Sequence, residues 1–178
     1  DFIKSLPRVL CKWPQLRAEI AGTDTVNYGG LTPQEGSWKK WAMALLEKHN
    51  LVDRVSWKGR LPLQAYANWL KGSWCHIYLS EPFVTSWSLI EACNCAIPMV
   101  STRCAATDEF SHLNPFLIQV EHTDEDKLVA AINDRIRFSA GFSRERTNAG
   151  ESPQAKSVNI SEITLANYLA DLEAATSN

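Results

Sequence analysis

Short apolar runs alternate with longer amphipathic segments along most of the chain, and this alternation is what most constrains the fold. Apolar residues at helical spacing predict helices over residues 2–12, 38–50, 62–71, 86–95, 124–138 and 161–174. Short apolar runs bounded by Gly, Pro or polar residues predict strands over residues 17–22, 54–57, 75–80, 99–101 and 116–120. Because strands that alternate with helices over short connections pair in parallel, we expect an α/β fold, with a parallel sheet covered by helices on both faces.

Length and composition fit one soluble globular domain. The chain has 178 residues, of which 45% are hydrophobic and 21% are charged. It contains no internal repeat or compositional boundary, so we expect residues 1–178 to form a single domain. The formal net charge of −2 gives no overall field that would attract nucleic acid, and no apolar run approaches the roughly 20 residues that cross a bilayer. We therefore expect no nucleic-acid partner and no transmembrane segment.

The cysteines and the first residues suggest where the protein works. The five cysteines are odd in number and irregularly spaced, which is a poor framework for disulfides or zinc and indicates free thiols in a reducing cytosol. The chain opens at Asp1 with neither an initiating methionine nor a signal peptide. We interpret it as part of a longer cytoplasmic protein.

The segment from residue 75 to 110 carries most of the chemistry. Its sequence is CHIYLSEPFVTSWSLIEACNCAIPMVSTRCAATDEF, in which a strand, a loop over residues 81–85 and a helix opening at Ser86-Trp87-Ser88 follow one another. The first N–H groups of a helix have no partner within it and lie at the positive end of its dipole. This helix start is therefore suited to a phosphate, and the small side chain of Ser86 allows close approach.

Glu91 lies about one turn into the same helix. Its carboxylate could accept two hydroxyl hydrogen bonds at once, as from the 2′,3′-diol of a ribose, while a phosphate occupies the helix start. The alternative is that Glu91 only complements the helix dipole at the surface. The pattern alone leaves both interpretations open.

The segment resembles the carboxyl-terminal domain of family-4 retaining glycosyltransferases, which have the GT-B fold. Their pattern is Glu-Gly-Phe-Gly-x-x-x-x-Glu-Ala-Met-Ala-x-Gly-x-Pro-Val-Val, and without a gap Glu91-Ala92 falls on the second Glu-Ala, Ala96 on the glycine and Pro98 on the proline. The form YLSEPFVTSWSLIEA is similar to a branch of the family with a Pro-Phe-Val-x-Ser-Trp-Ser run. The segment RVSWKGRLP, residues 54–62, also resembles a family motif, and the resemblance covers about residues 1–140 and the last helix.

The resemblance implies one half of a GT-B enzyme: a Rossmann-like, nucleotide-sugar-binding domain over residues 1–178, closed by a helix within residues 161–178. The motif positions imply a ribose contact from Glu91, diphosphate contacts from the backbone of Ser86, Trp87 and Ser88, and base contacts from Arg60 and Leu61. The parent enzyme would transfer a hexosyl group from a UDP or GDP sugar with retained configuration, using no cofactor and no obligatory metal. The acceptor, a glycan or a lipid-linked molecule, would bind through an amino-terminal half.

The chain departs from the family pattern in two places. Phe83 replaces the first motif glutamate, which contacts the transferred sugar, and Glu81 is the candidate to substitute for it; a solvated loop charge is the alternative for Glu81. The family's diphosphate-binding Arg and Lys, with the first strand, would precede Asp1, so we expect this chain alone to be inactive. The alternative function is a non-catalytic nucleotide-binding or scaffold module of Rossmann-like fold. A flavodoxin-like signalling domain is less favoured, because no acidic phosphoacceptor cluster follows a strand.

The histidines do not suggest a metal centre. None has metal-ligand spacing to an acidic residue or a cysteine. His76 falls inside a predicted strand, and we interpret it as structural.

Overall fold

The structure, a computed structural model, describes residues 2–24, 37–79, 85–121 and 124–148, with side chains described as far as residue 141. Helices and parallel strands alternate along the chain, and the chain divides into two compact units, residues 1–66 and 67–178. The parallel strands are flanked by helices, which confirms the α/β, Rossmann-like class expected of one GT-B half.

The first unit is built on two parallel strands. Its elements are α1 (Phe2–Lys12), β1 (Ala18–Ala21), α2 (Trp38–Glu47), a 3-10 turn (Val52–Arg54) and β2 (Val55–Gly59). β1 pairs with β2 from Ala18 opposite Val55. The core of this unit combines apolar residues of both helices and both strands, namely Leu6, Leu10, Ala18, Leu46, Leu51 and Val55. The predicted helix over residues 2–12 and the strand over 17–22 are confirmed within a residue or so.

Both ends of α2 are closed by side-chain and backbone caps. Ser37 is the N-cap, and its hydroxyl accepts a hydrogen bond from the backbone N–H of Lys40 at 3.0 Å. At the other end Asn50 adopts a left-handed conformation with φ of 55°, and the N–H of Leu51 bonds back to the carbonyl of Leu46 at 3.0 Å. This is a Schellman cap, in which asparagine replaces the usual glycine, and it ends the helix three residues before the predicted limit.

Arg54 joins the end of α1 to the start of β2. Its guanidinium donates to the backbone carbonyls of Leu10 at 3.0 Å, Trp13 at 2.8 Å and Leu16 at 2.6 Å. Carbonyls at a helix end have no partner within the helix, and a guanidinium provides several donors in one plane. The arginine that begins the RVSWKGRLP segment therefore has a structural role.

The second unit contains a three-stranded parallel sheet in the order β3-β4-β5. Its elements are β3 (His76–Tyr78), α4 (Trp87–Asn94), β4 (Met99–Thr102), α5 (Ala105–Phe110), a 3-10 turn (Ser111–Leu113), β5 (Leu117–Val120) and α6 (Glu125–Asn148); α3 (Leu63–Lys71) crosses the boundary between the units. The central strand β4 is buried along its whole length, as expected for a parallel strand covered on both faces.

The observed elements differ from the predicted ones in two informative places. The helix predicted over residues 124–138 continues to Asn148, although residues beyond 143 are polar and show no clear helical pattern. The short helix α5 was not predicted because six residues are too few to show a helical period.

Several predictions lie outside the described residues. They are the loop residues Glu81 and Phe83 and the closing helix within residues 161–178. Within the described ranges, no helix combines the length and apolar character needed to cross a membrane.

Candidate functional site

The helix start singled out in the sequence is well formed. Ser86 is the N-cap of α4, with extended backbone angles (φ −93°, ψ 148°), and its hydroxyl accepts a hydrogen bond from the backbone N–H of Leu89 at 3.3 Å. The N–H groups that precede Leu89 have no acceptor within the helix by geometry. The start of α4 therefore presents backbone donors at the positive end of the helix dipole.

Two further hydroxyls lie against Ser86. The phenolic oxygen of Tyr78, the last residue of β3, is 2.6 Å from Ser86 Oγ, and Ser88 Oγ is 2.9 Å from the same atom. The carboxyl end of β3 is thus joined to the first turn of α4 by a chain of three hydroxyls. Tyr78 was not predicted as a site residue, because the predicted strand ran to residue 80 and placed Tyr78 two residues before its end.

Glu91 shares one face of α4 with Trp87 and Ser88. Residues three and four apart are neighbours on a helix surface, so the Glu91 side chain lies next to both. The opposite face of α4 is buried through Leu89, Ala92 and Cys93. With a rise of about 1.5 Å per residue, Glu91 lies about 7 Å along the axis from the cap at Ser86.

The environment of Glu91 is partly desolvated. The side chain is half-buried, and burial raises the pKa of its carboxyl above the ordinary value. Among the residues that the structure describes, none forms a hydrogen bond or an ion pair with this carboxylate. A half-buried acceptor on the same face as the helix start is suited to bind polar hydrogens of a ligand.

Trp87 presents an aromatic surface at the first position of α4. The residue is 61% exposed, the largest value among the exposed large hydrophobic residues of the described chain. Its backbone is one of the predicted diphosphate contacts, so the exposed indole lies at the proposed phosphate-binding turn. An indole at this place offers a flat apolar face beside the Glu91 carboxylate.

Arg60 and Leu61 follow the carboxyl end of β2 in the first unit. Gly59 ends the strand with φ of 65°, a left-handed conformation that glycine adopts readily. Its carbonyl accepts a hydrogen bond from the N–H of Gly22, which follows β1, at 2.9 Å. Arg60 is exposed and Leu61 is half-buried. Both lie where ligands bind in parallel α/β sheets, at the carboxyl ends of the strands.

The sequence model of the family described as "Glycosyl transferases group 1" matches residues 1–137. The chain belongs to this family. The match covers the two-stranded sheet, the three-stranded sheet, the whole of α4 and about half of α6. Comparison with curated proteins gives no match.

In this glycosyltransferase domain the described site residues lie at strand or helix ends, except Glu91, which lies inside α4. Ser86, Trp87, Ser88 and Glu91 come together on α4, while Arg60 and Leu61 belong to the first unit. The position of Phe83, at which the sequence departs from the family-4 pattern, and the neighbouring Glu81 lie outside the described residues. The family membership supports a nucleotide-sugar donor and an acceptor as its substrates.

His76 packs inside the second unit of the glycosyltransferase domain. Its ring lies edge-to-face against Trp69, with ring centroids 5.9 Å apart at 86°. Burial lowers the pKa of the imidazole to about 4, so the ring is neutral at physiological pH. This environment supports a structural role for His76.

The cysteines are free thiols in the structure. Burial raises the pKa of Cys75 to about 12 and that of Cys93 to about 11. Thiols with raised pKa values are poor nucleophiles and metal ligands. In the described part of the chain, no group of three or more His, Cys, Asp or Glu side chains is arranged to hold a metal ion.

Proposed function

We propose that this domain binds a nucleoside-diphosphate sugar at α4 and serves the retaining transfer of a hexosyl group to a glycan or lipid-linked acceptor. The observation that carries the proposal is the arrangement on one helix: backbone and hydroxyl donors at Ser86 and Ser88, and the half-buried Glu91 carboxylate one turn further on the same face.

The diphosphate would bind at the first turn of α4. Backbone N–H groups and the Ser88 hydroxyl supply donors there, and the helix dipole adds a favourable field for negative charge. These groups would also stabilise the negative charge that develops on the diphosphate as its bond to the anomeric carbon breaks. In this proposal the transfer needs no metal ion, because the hydrogen-bond donors and the helix dipole stabilise the charge on the diphosphate.

The ribose would bind to Glu91. A carboxylate with two oxygens can accept from both the 2′- and the 3′-hydroxyl, and each such bond is charge-assisted. Partial burial of Glu91 makes its lone pairs less well hydrated, so less water has to be displaced when a diol binds. The separation of about 7 Å between the cap and Glu91 along the axis is compatible with one nucleotide spanning them.

The base and the sugar would be recognised by residues flanking this helix. By family resemblance, Arg60 and Leu61 would contact the base through their backbone, and UDP and GDP sugars are the candidate donors. Trp87 would pack its exposed face beside the donor. Phe83 replaces the family's sugar-contacting glutamate, so Glu81 is the candidate for hydroxyl recognition on the transferred hexose.

The experiment that tests this function is calorimetric titration of the chain with UDP, GDP and ADP and with the corresponding sugar donors. We expect one diphosphate to bind, and Glu91→Gln to weaken it by about 10-fold to 100-fold, the effect of losing charge-assisted hydrogen bonds. The control is Glu47→Gln, which makes the same change at an exposed helical glutamate of α2 outside the proposed site. Binding that Glu91→Gln leaves unchanged would contradict the proposed site.

The second candidate is a non-catalytic nucleotide-binding module. The replacement of a sugar-contacting glutamate by Phe83 favours it, because a module that binds only the nucleotide has no need of that carboxylate. The two functions differ in how they respond to the sugar. A donor binds a transferase more tightly than the free diphosphate when the hexose is recognised, whereas a nucleotide module binds both equally or prefers the diphosphate.

A further inference from the structure

Tyr78 lies at the junction between β3 and α4, beside the proposed phosphate end of the donor site. It is the last residue of β3, and its hydroxyl is 2.6 Å from the side-chain oxygen of Ser86, eight residues later. This contact connects the two ends of the loop that separates the strand from the helix. It holds the side chain that caps the helix.

The three hydroxyls of this group form an ordered chain. Ser86 Oγ is within hydrogen-bonding distance of Tyr78 and Ser88, and it also accepts from the N–H of Leu89. A hydroxyl oxygen donates one proton and has two lone pairs. Because Leu89 occupies one lone pair, Ser86 must donate to one of its two hydroxyl neighbours and accept from the other.

The direction of the hydrogen bonds along the three hydroxyls determines which hydroxyl proton is available to a ligand. If Tyr78 donates to Ser86 and Ser86 donates to Ser88, the proton of Ser88 is left for an acceptor outside the group. If the direction is reversed, the spare proton is on Tyr78. An anion beside the first turn of α4 favours the first direction, since the Ser88 proton can then be donated to it.

We propose that Tyr78 is a positioning residue of the donor site, whose hydroxyl fixes Ser86 and directs the hydrogen of Ser88 towards the donor's diphosphate. The proposal rests on the function proposed for α4 and adds a residue that does not itself touch the ligand. Tyr78 acts on the phosphate end of the site, whereas Glu91 acts on the ribose end. Removal of the phenolic hydroxyl therefore lowers the contribution of the phosphates to the binding affinity and leaves the contribution of the nucleoside unchanged.

The test compares a nucleoside with its diphosphate in three variants. NMR shift titrations, which detect weak binding, give dissociation constants for the best-binding diphosphate among UDP, GDP and ADP and for its nucleoside. Tyr78→Phe keeps the ring and removes only the hydroxyl, and Ser88→Ala removes the terminal donor of the chain. The matched control is Tyr66→Phe, which makes the same change on the half-buried Tyr66 of α3.

We expect Tyr78→Phe and Ser88→Ala each to lower the affinity for the diphosphate by about 3-fold to 10-fold, the effect of losing one hydrogen bond. The affinity for the nucleoside should not change. Tyr66→Phe should change neither. Equal weakening of nucleoside and diphosphate by Tyr78→Phe would show a general structural role and overturn the proposal. Unchanged diphosphate binding would also overturn it.

Glu91→Gln separates failure of this proposal from failure of the proposed function. If the diphosphate binds more tightly than the nucleoside and Glu91→Gln weakens both, the donor site stands whatever Tyr78→Phe does. If the wild-type protein binds the diphosphate no more tightly than the nucleoside, α4 does not bind the phosphates. The proposed role of Tyr78 is then overturned as well.

Discussion

The side-chain amide of Asn114 donates a hydrogen bond of 2.9 Å to the backbone carbonyl of Ile97, while its oxygen accepts from the N–H of Phe116 at 2.9 Å. Asn114 is almost completely buried, with 2% of its surface exposed. Asn114 therefore connects the segment that follows α4 to the segment that precedes β5. It anchors the turn that follows the helix carrying the proposed donor site.

Replacing Asn114 by leucine should destabilise the second unit. The side chain is similar in size, but the carbonyl of Ile97 and the N–H of Phe116 lose their partner in a buried place. We expect the free energy of unfolding to fall by about 2–4 kcal/mol, since each buried group left without a partner costs about 1–3 kcal/mol. Urea unfolding followed by tryptophan fluorescence measures this, with Asn68→Leu on the exposed side of α3 as the control. A loss below that of the control would show that the bridge contributes nothing.

Replacing Ala96 by glycine should stabilise the protein. Ala96 follows α4 with φ of 48°, a left-handed conformation that costs an alanine about 1–2 kcal/mol, part of which glycine loses again through backbone entropy. We expect a net gain of about 0.5–1 kcal/mol, measured as a rise in the melting temperature. The same substitution at Ala92, which lies buried inside α4, should lower stability by about 1 kcal/mol or more. A loss of stability from Ala96→Gly would contradict the strained cap.

Replacing Arg54 by methionine should destabilise the first unit by about 2–3 kcal/mol, because three backbone carbonyls lose a charged donor at once. Arg17→Met is a matched control, since the exposed Arg17 makes one bond of 2.9 Å, to the carbonyl of Asp53, and should cost well under 1 kcal/mol. Urea unfolding of the two variants gives the difference. Equal effects would mean that the three-carbonyl contact is not important for stability.

The affinity for a nucleoside diphosphate should depend on the protonation of Glu91. Burial raises the pKa of this carboxyl above its ordinary value of 4.5, so binding should weaken with falling pH before an ordinary glutamate titrates. A carboxyl with a raised pKa favours folding below its unfolded-state pKa, and this contribution is lost as the pH rises through the folded-state pKa. Glu91→Gln should therefore unfold at a slightly higher urea concentration than the wild type at pH 7.

The pH series of Glu91→Gln is the control, because the phosphates of the ligand titrate in both proteins. We expect the ratio of the two affinities to approach one as Glu91 is protonated. A ratio that does not change between neutral and acidic pH would show that the carboxylate is not an acceptor for the ligand.

The sequence was sufficient to predict the fold class because hydrophobic periodicity is a property of each segment by itself. The N-caps at Ser37 and Ser86 were also predictable, since a serine before an apolar periodic run is a local signal. Likewise, the placement of Glu91 about one turn into α4 follows from helical spacing alone. These features need no information on which distant residues meet.

Features that depend on distant contacts were not predictable from the sequence. Arg54 matched a family motif but gave no sign that it bonds to three carbonyls some forty residues earlier. Tyr78 stood beside the ligand loop, yet its contact with Ser86 requires the strand and the helix to be placed in space. Alanine gives no local signal for the left-handed conformation of Ala96, whose one hint in the sequence was its place on the family's glycine.

The most direct test of the donor site combines one change in the protein with one in the ligand. A nucleoside diphosphate and its 2′,3′-dideoxy analogue are titrated by calorimetry into the wild-type protein and into Glu91→Gln. If Glu91 holds the ribose, the wild type prefers the natural ligand by about 10-fold to 100-fold, and Glu91→Gln loses most of that preference. If the wild type binds both ligands equally, or the preference survives in Glu91→Gln, the ribose is held elsewhere and the proposed donor site on α4 is wrong.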